Sequence, residues 1–112
     1  MIDVLINNVW TKMTQDELQV GSDGFAFEAG LYETMRTMDF KLIFLRPHLN
    51  RLFSTALKIG LKIQYSFIEI TDMLEKVIDN FPVSNQRIRL LAVPDKLIAV
   101  SYTQRTRPIT AR

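Results

Sequence analysis

The segment Gly30-Leu31-Tyr32-Glu33-Thr34-Met35-Arg36, read together with the later His48-Leu49-Asn50-Arg51-Leu52, decides how this chain is understood. Successive side chains of a strand point to opposite faces of its sheet, so Leu31, Glu33 and Met35 go to one face and Tyr32, Thr34 and Arg36 to the other. The second segment reads as helix. A guanidinium on such a helix, near a strand that carries a tyrosine, suits a phosphorylated cofactor. It offers a planar fork of donors to phosphate oxygens and stays charged at every working pH. The tyrosine hydroxyl is then placed to meet substrate or cofactor.

Working outward, strands are expected at Leu31 to Thr37 and Leu42 to Leu45, joined around Asp39 and presenting Tyr32 and Arg36 on one face. Arg46-Pro47 opens a helix, with proline suited to the first turn. Leu49, Leu52, Phe53, Ala56 and Leu57 form its apolar stripe, and Gly60 stops it. Ser66-Phe67-Ile68-Glu69 has capping-box spacing ahead of a second stripe of Ile70, Met73, Leu74, Val77 and Ile78, ended by Asn80 and Pro82. At the start, Ile2, Val4 and Ile6 alternate before Asn7-Asn8, a pair that tolerates positive φ, and a hairpin returns through Val9 and Trp10. Residues 11 to 24 are polar and end in the turn chemistry of Gly21-Ser22-Asp23-Gly24. Arg87 to Val93 and Leu97 to Tyr102 flank Pro94-Asp95-Lys96 as a closing hairpin. Strands, two helices and strands again predict an α+β, two-layer domain: a largely antiparallel sheet with both helices packed on one face.

Composition narrows the function classes. With 112 residues and 47% of them apolar, the chain can bury one core without covalent staples. There is no cysteine, so disulfides and thiolate metal sites are excluded. A formal charge of +2 with scattered basic residues argues against nucleic acid as a partner. No basic segment leads into a long apolar run, so neither a signal peptide nor a membrane span is expected, and the cytoplasm is the default location. From Thr103 the sequence turns polar and basic around Pro108 and reads as a linker, which divides the chain into a domain over residues 1–102 and the start of an interdomain connection over 103–112.

Gly24-Phe25, Phe27, the Gly-Leu-Tyr-Glu-Thr strand and the His-Leu-x-Arg-Leu helix together resemble the N-terminal small domain of the class IV aminotransferases. These are the fold-type IV pyridoxal-phosphate enzymes, and they include branched-chain and D-amino-acid aminotransferases and aminodeoxychorismate lyase. The resemblance spans essentially the whole chain. It implies that Arg51 binds the phosphate of pyridoxal 5'-phosphate, that Tyr32 lies on the substrate side of the cofactor, and, more weakly, that Arg89 is a strand arginine near substrate. It further implies amino-acid and 2-oxo-acid substrates and a homodimer. The Schiff-base lysine and the acidic partner of the pyridine nitrogen belong to the family's large domain. Lys12, Lys41, Lys58, Lys62, Lys76 and Lys96 match neither position, so no catalytic residue is expected here and the chain alone is not expected to transaminate. Two turns depart from the family pattern, at Ser22-Asp23-Gly24 and Glu28-Ala29-Gly30, and Val93-Pro94-Asp95 replaces a Thr-Arg-Gly-like strand end, which leaves substrate preference open.

Each of these assignments has a plainer competitor. Arg51 also reads as a solvated helix arginine covering apolar surface with its stem, and Tyr32 as a half-buried strand aromatic whose hydroxyl meets water. His48, the single histidine, is read as structural, and Glu33, opposite to Tyr32, as the partner of a neighbouring cation. The reading adopted is the small domain of a class IV aminotransferase. The alternatives are an aminodeoxychorismate-lyase-like enzyme on the same scaffold, or a non-catalytic self-associating module.

Overall fold

A computed structural model describes residues 1–14 and 30–103. The sheet begins with a hairpin, β1 (Ile2–Ile6) and β2 (Val9–Met13), whose turn residues Asn7 and Asn8 both take positive φ, 48° and 66°. That is the turn whose twist matches the flanking strands, and asparagine adopts it at little steric cost. Pairing continues to Ile2↔Met13, so the first residues of the polar stretch from 11 to 24 belong to a strand. The later turn candidates, Gly21 to Gly24 and Glu28-Ala29, lie outside the described residues, as does the linker after Thr103.

Strand β3 (Leu31–Met38) turns through Asp39 and Phe40, again both at positive φ, into β4 (Lys41–Leu42). The expected strand to Leu45 stops early because Phe44 takes a left-handed conformation, φ 58°, and ends the extended run. Helix α1 (Leu45–Ile59) starts on the next residue. Pro47 sits in its first turn, where a backbone N–H has no intrahelical partner in any case. Gly60, φ 75°, ends the helix by donating its N–H to the Leu57 carbonyl, and the Leu61 N–H donates to the Ala56 carbonyl. A Cβ at Gly60 would meet nothing within 4 Å, so the glycine is there for its backbone. Helix α2 (Phe67–Asp79) opens on the anticipated capping box: the Glu69 N–H donates to the Ser66 hydroxyl at 3.1 Å and the Ser66 N–H to the Glu69 carboxylate at 2.8 Å. Strands β5 (Arg87–Val93) and β6 (Lys96–Ser101) follow.

Among the described residues, six strands form one antiparallel sheet in the order β2-β1-β6-β5-β3-β4. Register sorts the side chains. Leu5, Met35, Ile88, Leu90, Ala92, Leu97 and Ala99 meet Leu49 and Leu52 of α1 and Ile70, Leu74, Val77 and Ile78 of α2 in the main core. A smaller cluster of Ile2, Val4, Leu91, Ile98, Val100 and Tyr102 lies on the opposite face. Both helices therefore cover one face, and the domain is the two-layer α+β arrangement read from the pattern. Gln86 fixes the entry to β5, donating from Nε2 to the Ile78 and Val83 carbonyls, at 2.8 and 2.9 Å, and from its N–H to the Thr37 hydroxyl at 2.7 Å. Among the described residues no helix is long and apolar enough to cross a membrane.

Candidate functional site

Strand β3 carries chemistry on both of its faces. On the helix side, Glu33 is buried, with its side chain 7% exposed, and faces α1. Residues 48 and 51 lie one helical turn apart on α1 and so share the surface that faces it. Arg51 donates from Nε to one Glu33 carboxylate oxygen at 2.8 Å and from Nη2 to the other at 2.6 Å. The Nδ1 of His48 lies 2.7 Å from the same carboxylate. A carboxylate only accepts, so Nδ1 carries the proton and donates. Burial by itself would push the Glu33 carboxyl up. The hydrogen bonds and charge of Arg51 and His48 outweigh it and hold the carboxyl below its ordinary value, and Glu33 in turn raises Arg51.

The opposite face holds the other two candidates. Tyr32 pairs with Leu91 and Thr34 with Arg89 across β3 and β5. The Arg89 guanidinium lies over two rings at once, 5.0 Å from the centroid of Tyr32 and 4.6 Å from that of Tyr102, both within cation–π range. Its buried Nε has no hydrogen-bond partner among the described residues. Tyr32 itself is 58% exposed. The structure thus brings Tyr32 and Arg89 together and places Arg51 on the other side of the sheet, tied to Glu33.

Tyr102 was missed as a site residue. Its signal was the alternation of the last strand, where Ile98, Val100 and Tyr102 fall on one face beside the position taken by Arg89. Glu33 was seen only as a partner for some cation. Which cation depended on how α1 lies over β3, and that follows from helix packing rather than from any local motif. Among the described residues no group of three or more histidine, aspartate or glutamate side chains is placed to hold a metal ion.

The family model of amino-transferase class IV matches residues 30–109. A D-alanine aminotransferase from Listeria monocytogenes is 33% identical over 75 residues, which is 67% of this chain and 26% of the relative. The chain therefore spans about a quarter of the length of that curated relative. A branched-chain amino acid aminotransferase from Escherichia coli superposes with a TM-score of 0.71 over 89% of this chain and 39% of the other at 18% identity, a likeness of fold. A putative 4-amino-4-deoxychorismate lyase from Legionella pneumophila superposes with a TM-score of 0.55 at 26% identity, over 59% of this chain and 25% of the other.

Proposed function

This chain belongs to the class IV aminotransferases, a pyridoxal-phosphate-dependent family, and from that premise we propose that it contributes the phosphate-binding arginine and part of the substrate pocket to an enzyme that moves an amino group between an amino acid and a 2-oxo acid. One observation carries the reading. Arg51 is held to Glu33 through Nε and Nη2, so Nη1 has no partner among the described residues, and the side chain is 66% exposed. A guanidinium fixed on one edge and open on the other fits a phosphate group, because its direction is set before the ligand arrives.

When bound, pyridoxal phosphate supplies an electron sink that lets the substrate α-carbon give up its proton. The residues of this chain bind and orient. Arg51 takes the phosphate. Glu33, with the help of His48, holds the guanidinium and offsets part of its charge. Tyr32 and Arg89 take the substrate side, with the hydroxyl available to orient a carboxylate and the stacked guanidinium available to pair with one. Residues 32 and 33 adjoin at the start of β3, so the two functions flank a single strand end. The Schiff-base lysine is proposed to lie outside these 112 residues, with residues 103–112 as the start of the connection to it, in a cytoplasmic homodimer.

Titration of the complete protein, the lysine-bearing domain included, with pyridoxal phosphate, followed by the visible absorbance of the bound cofactor, tests the assignment. Arg51→Ala is expected to weaken binding by on the order of tenfold or more, the loss that accompanies removal of a charge-assisted contact. Equal affinity in wild type and variant removes Arg51 from the cofactor site. The likeness to the Legionella pneumophila lyase favours a second reading, a lyase on the same scaffold. Pyruvate release from aminodeoxychorismate, without any need for a 2-oxo acid, identifies that activity.

A further inference from the structure

We propose that Arg36 and Arg87, on the sheet face away from the helices, form a binding site for a doubly charged oxyanion, either a phosphoryl group or paired carboxylates. The two residues are direct partners in the β3–β5 register. Their carbonyls turn away from each other: that of Arg36 accepts from the Ile43 N–H at 2.9 Å and that of Arg87 from the Tyr102 N–H at 2.7 Å. The neighbouring pair does bond, with the Thr37 N–H donating to the Gln86 carbonyl at 2.8 Å. Arg36 and Arg87 therefore form a non-hydrogen-bonded pair, the kind that brings facing side chains closest, with Cβ atoms about 4.5–5.5 Å apart.

Like charges placed directly opposite one another destabilise a sheet. Arg89, the next residue of β5 on the same face, adds a third positive charge. Opposing charges are missing: the positions of the described strands that alternate onto this face carry no aspartate or glutamate, and none of the three arginines forms an ion pair among the described residues. The contrast is with Arg51, whose carboxylate partner is built into the same strand, whereas these three cations have no ionic partner among the described residues. Beside the pair lies a cavity of about 240 Å³ lined by Arg36, Asn85, Arg87, Tyr102 and Thr103. Holding one water takes roughly 10–15 Å³ on the same measure, so there is room for a small oxyanion. Two facing forks suit two negative charges with several acceptor oxygens, which a monovalent halide does not supply.

The test is calorimetric titration with inorganic phosphate, and separately with malonate, at low ionic strength. An Arg51→Ala background is used so that the other proposed phosphate contact is absent. Saturable binding of at least one anion is expected, weakened on the order of tenfold by Arg36→Gln and by Arg87→Gln and partly kept by Arg87→Lys. Tighter phosphate points to a phosphoryl ligand and tighter malonate to a dicarboxylate. Melting supplies a second readout. Without added anion, Arg87→Gln is expected to melt no lower than its parent, because a repulsion is relieved, and phosphate is expected to raise the parent's Tm but not the variant's. Absence of saturable binding, or binding left unchanged by both glutamine substitutions, overturns the site. Neither result bears on Arg51, which the cofactor titration reads.

Discussion

The two faces of β3 treat arginine in opposite ways. On the helix side, Arg51 meets a buried carboxylate through two donors, with a histidine completing the set. On the open side, Arg36, Arg87 and Arg89 share a surface to which the described strands bring no carboxylate, and Arg89 is flanked by rings instead. The difference follows from the period of the strand. Glu33 alternates inward, where leaving it unpaired would cost far more than on the surface, so the fold must supply it with donors. Tyr32, Thr34 and Arg36 alternate outward, where Tyr32 is 58% exposed and water tolerates unpaired cations. One face is closed electrostatically, and the other is left open.

Packing should show the same asymmetry, and this is where the largest effect is expected. Leu90 and Leu91 are sequence neighbours on β5 that point to opposite faces, with exposures of 0% and 3%. Leu90 is enclosed by side chains of both layers, so Leu90→Ala leaves a cavity that cannot collapse, and a loss of about 2–5 kcal/mol is expected in urea unfolding. Leu91 lies in the smaller cluster with Ile98, Val100 and Tyr102, where neighbours can shift inward, and a smaller loss is expected. Equal losses would mean that the second face is as rigidly covered as the first.

A smaller effect separates the faces electrostatically. The carboxyl of Glu33 is held below its ordinary value of 4.5, so the folded state binds its proton less readily than the unfolded chain does. The resulting stability is fully present above the unfolded value and is lost as pH falls through the folded one. Asp3 is also lowered, chiefly by its hydrogen bond from Lys12, and titrates in the same acid range. The informative quantity is thus the difference between wild type and Glu33→Gln. Their urea midpoints are expected to differ most near neutrality and to converge as the pH drops below about 4. A gap that does not change with pH would show that Glu33 titrates alike in the folded and the unfolded chain, so that Arg51 and His48 do not favour its charged form, and the closed face would lose its meaning.

Much of this was legible in the sequence, for local reasons. Asn7-Asn8, the Ser66 to Glu69 box and Gly60 act through bonds to residues a few positions away, and the structure follows them. The alternation of β3 assigned Tyr32 and Glu33 to opposite faces. Arg51 was expected near the strand that carries Tyr32, and the same alternation puts the two on opposite sides of the sheet, because a helix packed on one side meets only the residues of that side. The short β4 was hidden because Phe44 adopts a conformation uncommon for an aromatic residue and unmarked by glycine or asparagine. The Arg36–Arg87 pairing needed the β3–β5 register, a contact between segments separated by both helices.

The finest test concerns the open face alone. If Arg89 is held between Tyr32 and Tyr102, removing the Tyr32 ring and removing the guanidinium are not independent changes. A double-mutant cycle of Tyr32→Leu and Arg89→Gln is expected to give a coupling of about 0.5–1 kcal/mol, the range for an exposed cation–π contact. Tyr32→Phe keeps the ring face and should keep the coupling while losing only the hydroxyl. Zero coupling would mean that the stack does not persist in solution. Arg89 would then be as loosely placed as Arg36 and Arg87, and the pocket wall proposed for the substrate would have to form on binding, at a cost in affinity that a preformed wall avoids.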